Sequence, residues 1–111
     1  MKLIIQIPCY NEASNLESVI YDIPSKISGI DNIEILVIDD GSTDETVALA
    51  KRLGVQHIVS NNKNKGLAYT FHLGLETCIK HKADIIVNTD GDNQYNGCLL
   101  YTSDAADETE G

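Results

Sequence analysis

Basic side chains are scarce in this chain. Its 111 residues carry 8 Lys+Arg against 17 Asp+Glu, a formal net charge of -9. A protein that grips a nucleic-acid backbone needs a basic face, so the balance argues against that class. It leaves room for a local phosphate site, because a bound cation can offset acidic side chains. Long apolar runs are also missing. The longest are four residues, as in Ile35-Leu36-Val37-Ile38, whereas a transmembrane helix needs about 20. The opening Met1-Lys2-Leu3 runs into Gln6 and Pro8 without a signal-peptide core. Cys9, Cys78 and Cys98 are widely spaced and form no CxxC pair, which fits free thiols better than a disulfide framework or a zinc site. No GxGxxG follows the first apolar segment, and no GxxxxGK(S/T) loop is present.

What is present reads as a globular chain. The hydrophobic share is 42%, so wholesale disorder is not expected. The acidity is uneven. Residues 98–111 hold Asp104, Asp107, Glu108 and Glu110 and no basic residue, and without them the formal charge is -5.

Leu3 to Ile7 is short, apolar and β-branched, and reads as a buried strand that Pro8 ends. Ser14 and Glu17 have capping-box spacing, and Leu16, Val19, Ile20, Ile23 and Ile27 follow at helical spacing, with Pro24 expected to kink or shorten the helix. Ile33 to Ile38 is the strongest strand. Ser42 and Glu45 repeat the capping-box spacing before Val47, Leu49, Ala50 and Leu53. Val55 to Val59 reads as a third strand, Leu67 to His81 as a helix, and Ala83 to Val87 as a fourth strand. This β-α-β-α-β-α-β alternation predicts an α/β fold with a mainly parallel sheet. Ligands of such sheets bind beyond the carboxyl ends of the strands. The polar clusters fall there: Tyr10-Asn11-Glu12, Asp39-Asp40 and Asp90-Gly91-Asp92.

Each cluster has a chemical and a bland reading. Asp90 and Asp92 flank a glycine and can face one hard divalent ion, Mg²⁺ or Mn²⁺, with Gln94 adding a neutral oxygen; a solvated acidic turn is the alternative. A calcium EF-hand fits poorly, since Asn93 and Leu99 stand where glycine and glutamate belong. One of Asp39 and Asp40 can cap the next helix and leave the other free for a ligand. Tyr10 can stack on a flat ring and Glu12 can bind sugar hydroxyls, or both can belong to an exposed turn. His57, His72 and His81 have no evident shared partner. No feature marks an activating base for Cys9. Lys63 and Lys65 can contact phosphates or line a solvated loop.

Taken together, the motifs resemble those of family 2 glycosyltransferases. Ile7-Pro8-Cys9-Tyr10-Asn11-Glu12 resembles the PxYNE opening, and Val37 to Asp44 resembles the DDGSTD motif. Asn64-Lys65-Gly66-Leu67-Ala68 with Gly74 is similar to the helix signature that follows. Asn88 to Tyr95 resembles the DxD region in its DxDxQY form. The ordered set covers roughly residues 2–96, closest in flavour to the polyprenyl-phosphate branch that includes dolichyl-phosphate mannose synthases. The resemblance implies a Rossmann-like GT-A half-domain, a nucleotide-diphospho-sugar donor, inversion at the anomeric carbon and Mg²⁺ or Mn²⁺ as cofactor. It implies nucleoside contacts at Pro8, Tyr10 and Glu12. Asp40 matches the acid that meets the base, with Asp39 beside it. Gly66 and Asp90 complete the nucleotide-sugar set, and Asp90, Asp92 and Gln94 match metal positions. Polyprenyl phosphate is the candidate acceptor, at the cytoplasmic face of a membrane. Rival readings are a sugar-nucleotide pyrophosphorylase, which would show a glycine-rich phosphate loop after strand one, and a receiver-type binding module.

An inverting transferase also needs a base for the acceptor hydroxyl. In the resembled family that base, the acceptor site and any membrane helices lie in the second half. Residues 1–97 are therefore expected to be a donor-binding part, inactive alone, whose membrane association depends on later sequence. Cys98 to Glu108 reads CLLYTSDAADE. It resembles the translation of a transposase sequencing adaptor, and residues 98–111 are expected to be a non-native tail.

Overall fold

The computed structural model describes residues 1–24 and 26–89 together with the backbone of 99–102. The elements are β1 (Lys2–Cys9), α1 (Ala13–Tyr21), β2 (Asn32–Asp39), α2 (Thr46–Arg52), β3 (His57–Ser60), α3 (Leu67–Lys80), β4 (Ile85–Asn88) and β5 (Leu99–Thr102). They form one sheet in the order β3-β2-β1-β4-β5. The first four strands are parallel and β5 pairs antiparallel to β4. The α/β alternation expected from the sequence is therefore the fold observed.

The central strand β1 is buried along Leu3–Cys9 because both its faces are covered. Successive side chains of a strand point to opposite faces. Leu3, Ile5, Ile7 and Cys9 accordingly pack with Leu16 and Val19 of α1, Val37 of β2 and Ala50 of α2. Ile4 packs on the other side with Leu36, Ile38, Ile86 and Cys78 of α3. Full burial of each such aliphatic side chain contributes roughly 1.5–3 kcal/mol, so α1/α2 and α3 are fixed on opposite faces.

Helix α3 carries a glycine in its interior, which ordinarily costs about 1 kcal/mol relative to Ala. The reason is close approach. A Cβ on Gly74 would lie 2.5 Å from Gln6 Oε1 and 2.8 Å from Ile38 Cδ1. Gln6 itself is fully buried. Its Nε2 donates to Asn88 Oδ1 at 2.9 Å, and its Oε1 accepts from Cys78 Sγ at 3.7 Å. This amide ties β1, β4 and α3 together beneath the carboxyl ends of the strands.

Three local expectations are corrected. Pro8 does not end β1. Gln6 O accepts from Thr89 N on the β4 side, and Cys9 O accepts from Asp40 N on the β2 side. The period of two therefore aims residue 8 toward β4, whose paired register stops at Asn88 opposite Gln6. No ladder bond needs the missing N–H there. Helix α1 begins at Ala13, so Ser14 lies inside it. The free N–H groups of Asn15 and Leu16 go to Glu12 O at 3.0 and 2.9 Å, and the helix ends at Tyr21, before Pro24. Helix α2 begins at Thr46, just after Glu45, because Ser42 to Asp44 serve a different purpose described below.

Candidate nucleotide-sugar site

Three loops meet at the carboxyl ends of the parallel strands. The first is Tyr10–Glu12 after β1, the second is residues 40–45 after β2, and the third is residues 61–66 between β3 and α3. Strand order reverses beside β1, and that is where open α/β sheets form a ligand crevice.

The first two loops are latched by Asn11. Its φ is 53°, a left-handed conformation that asparagine tolerates better than most residues. Its Oδ1 accepts from Thr43 N at 2.8 Å and from Asp44 N at 3.3 Å, while its own N–H donates to Ser42 Oγ at 2.8 Å. Beside it, Glu12 N donates to Thr46 Oγ1 at 3.0 Å, and Ala13 N donates to Asp44 Oδ2 at 3.3 Å. The other oxygen of Asp44 accepts from Thr46 N at 2.9 Å and from the Thr46 hydroxyl. Hydrogen bonds led by the Thr46 hydroxyl hold the Asp44 carboxyl below its usual range. Ser42, Thr43 and Asp44 thus shape the turn that presents Tyr10 and Glu12, and do not start a helix. Replacing Asn11 with Ala removes the Oδ1 acceptor of the latch and leaves a left-handed backbone that alanine resists. Asn11→Ala is expected to lower stability by about 2 kcal/mol, read as a shifted denaturant midpoint at unchanged slope.

Asp40 holds the third loop. Its buried carboxylate accepts from Lys65 N at 2.7 Å and Asn61 Nδ2 at 2.8 Å on one oxygen, and from Gly66 N at 2.9 Å on the other. Burial alone would raise its pKa, but these hydrogen bonds together outweigh it and hold the group below the usual carboxylate range. Asn64 Nδ2 reaches Asp40 O at 3.4 Å. Gly41 lies beneath the same loop with φ +79°, and a Cβ there would meet Lys63 C at 2.6 Å and Asn64 N at 2.7 Å. Gly66, with φ 98° and ψ 160°, makes the sharp entry into α3.

Asp39 is placed differently. Its Oδ2 accepts from Ser42 N at 3.1 Å. Its Oδ1 is buried and has no hydrogen-bond partner among the described residues. The hydroxyl of Thr89, at the end of β4, is the other such buried atom among the described residues. Tyr10 is 46% exposed at the rim, and Glu12 is half-buried with Oε2 accepting from Asn15 Nδ2 at 3.4 Å. Pro8 lies in the buried end of β1. Asp90, Asp92 and Gln94 lie outside the described residues. Among the described residues, no group of three or more His, Cys, Asp or Glu side chains is arranged to hold a metal ion.

Cys9 is buried, and its thiol pKa is pushed far up by burial and by the nearby Glu12, Asp39 and Asp44. A thiol so hard to ionise is not a nucleophile. Burial likewise pushes Cys78 up to about 12. The histidines bring one correction. His57 and His81 stack with ring centroids 4.1 Å apart, and His57 Nε2 lies 2.8 Å from Glu34 Oε1, near the amino-terminal end of the sheet and away from the site.

The model of the Glycosyl transferase family 2 matches residues 4–106. This chain belongs to that family. A dolichol-phosphate mannosyltransferase of Pyrococcus furiosus is 34% identical over 98 residues, which are 86% of this chain and 27% of that protein. A polyprenol monophosphomannose synthase of Mycolicibacterium smegmatis is 27% identical, over 85% of this chain and 36% of that protein. Among solved structures, the mannosyltransferase PcManGT from Pyrobaculum calidifontis, in complex with GDP-Man and Mn²⁺, is 28% identical with a TM-score of 0.66. The match covers 81% of this chain and 27% of that one. S. aureus TarS 1–349 in complex with UDP, 21% identical with a TM-score of 0.66 over 83% of this chain and 28% of its own, shares the fold. The chain thus has the GT-A fold of this family and spans about a third or less of the length of these relatives.

Proposed function

We propose that this chain is the donor-binding part of an inverting, metal-dependent glycosyltransferase. Its donor would be a nucleotide-diphospho-sugar and its acceptor a polyprenyl phosphate. In this reading residues 1–97 are that part, residues 98–111 are a non-native tail, and the part is inactive alone because it lacks the acceptor base. The observation that carries the reading is the Oδ1 of Asp39 at the carboxyl end of β2, buried and without a hydrogen-bond partner among the described residues. A buried acceptor without a donor is costly, and a ring N–H of a nucleobase would satisfy it. Both oxygens of Asp40 are occupied by the 61–66 loop. We therefore assign the base-facing role to Asp39 and the loop-holding role to Asp40, reversing the order that the resemblance implies. Tyr10 would stack on the base and Glu12 would accept from ribose hydroxyls. The relatives' names support a polyprenyl acceptor, and the Mn²⁺ in the PcManGT complex supports a divalent ion.

Asp90, Asp92 and Gln94 are the proposed holders of Mg²⁺ or Mn²⁺, on the strength of the sequence motif. A bound divalent ion would supply charge neutralisation at the leaving diphosphate. The residues of the chain fix the nucleoside, and the buried Asn88–Gln6 pair anchors the strand that precedes Asp90.

Calorimetric titration of the full-length protein with UDP or GDP, with and without Mn²⁺, tests the assignment. Asp92→Ala is expected to remove the Mn²⁺-dependent gain in affinity, about a hundredfold. Asp39→Asn is expected to weaken binding about tenfold whether or not Mn²⁺ is present. Failure of both nucleotides to bind, with or without Mn²⁺, would sink the proposal. An Asp39→Asn protein that binds as tightly as the parent would sink the base-facing role alone.

A further inference from the structure

The charge of this acidic chain is partitioned. The 30 residues between Glu45 and Glu76 contain no acidic side chain and hold Lys51, Arg52, Lys63 and Lys65. Lys63 and Lys65 are exposed on the loop pinned by Asp40 and Gly41. Immediately after it, the first turn of α3 is exposed at three consecutive apolar or aromatic residues, Leu67, Ala68 and Tyr69. Leu67 is 68% and Tyr69 52% exposed, and Lys65 Nζ sits 5.6 Å from the Tyr69 ring centroid. An exposed run of this kind is unfavourable in water unless something covers it.

We infer that Lys63, Lys65, Leu67 and Tyr69 form a docking surface for an anionic phospholipid bilayer. Three features select this occupant. Lysine is depleted from the cores of protein–protein interfaces, yet here two lysines closely precede the apolar run and Lys65 lies over the Tyr69 ring. Lysines beside an anionic leaflet are attracted to it, while a tyrosine at headgroup level keeps its ring apolar and its hydroxyl wet. A soluble polyanion would use the lysines but gain nothing from Leu67. The loop is held in place by Asp40, so little backbone order has to be acquired on docking. The surface lies within the described residues, so it does not need the later sequence on which membrane association was expected to depend. The inference is also independent of which nucleotide the site binds.

Co-sedimentation of the chain with phosphatidylcholine vesicles, with and without phosphatidylglycerol, tests it. Binding is expected only to the anionic vesicles and is expected to weaken with salt. Lys63→Ala/Lys65→Ala is expected to weaken it about thirtyfold, and Leu67→Ser about tenfold. Lys51→Ala/Arg52→Ala removes equal charge elsewhere and is expected to change it less than threefold. All three variants alter exposed side chains and are expected to melt with the parent. Four results would overturn the inference: equal losses from both basic pairs, Leu67→Ser binding like the parent, displacement of vesicles by Mn²⁺–UDP or Mn²⁺–GDP, or self-association without vesicles that Leu67→Ser abolishes. The last would make the covering partner a second copy.

Discussion

Gly41→Ala is expected to destabilise the chain by about 2–5 kcal/mol and to lower Tm by at least ~10 °C. Two costs add. The residue sits at φ +79°, where a Cβ is strained by its own backbone, and that Cβ would lie 2.6 Å from the carbonyl carbon of Lys63. The obstacle is main chain and cannot turn aside as a side chain could. Relief requires the 63–66 loop to lift, and lifting it breaks the bonds from Lys65 N and Gly66 N to Asp40. The melt reports the cost directly. A Tm within about 2 °C of the parent would mean that the loop does not rest on Gly41.

Asp40→Ala is expected to cost about 3–5 kcal/mol, a large part of the stability of a chain this size. It leaves the Lys65, Gly66 and Asn61 donors without their acceptor. Asp40→Asn separates charge from shape. It keeps one acceptor oxygen but turns an NH₂ toward a backbone N–H, so a loss of about 2 kcal/mol is expected. The same carboxylate makes stability depend on acid. Its folded pKa is depressed, so its contribution is present above the ordinary carboxylate value of 3.8 and is lost as pH falls through the lower folded value. Asp44 acts in the same direction. Urea midpoints measured downward from pH 6 should hold to about pH 5 and then fall. The Asp40→Asn protein should show a shallower fall. Parallel curves for the two would remove Asp40 from the account.

Much of this architecture was legible in the sequence because period and composition act locally. Ile33 to Ile38 reads as a strand from its apolar run, and Leu67 to His81 reads as a helix from Phe71, Leu75 and Ile79. The strand ends then name the site, because parallel strands deliver their polar exits to one edge. What was not legible depends on contacts distant in sequence. Ser42 looks like a helix cap until Asn11, 31 residues away, is seen to donate to it. Asp39 and Asp40 are chemically identical in the sequence. They part only when the 61–66 loop folds over one of them. Pro8 reads as a terminator because nothing local reveals which neighbour its nitrogen faces. His57 and His81 pair only through the crossover from β3 to α3.

The place of β1 in the sheet also sets an order of events. Its partner β2 follows closely in the chain, but Leu3 pairs with Ile85 and Gln6 with Asn88. The first strand made therefore waits longest for its second neighbour. At ribosomal rates of about 5–20 residues per second, roughly 4–16 seconds separate the synthesis of β1 from that of β4. Through that interval an apolar strand has one open hydrogen-bonding edge and an uncovered face awaiting α3. The nascent chain is then most exposed to intermolecular strand pairing, and chaperone demand should peak before residue 85 emerges.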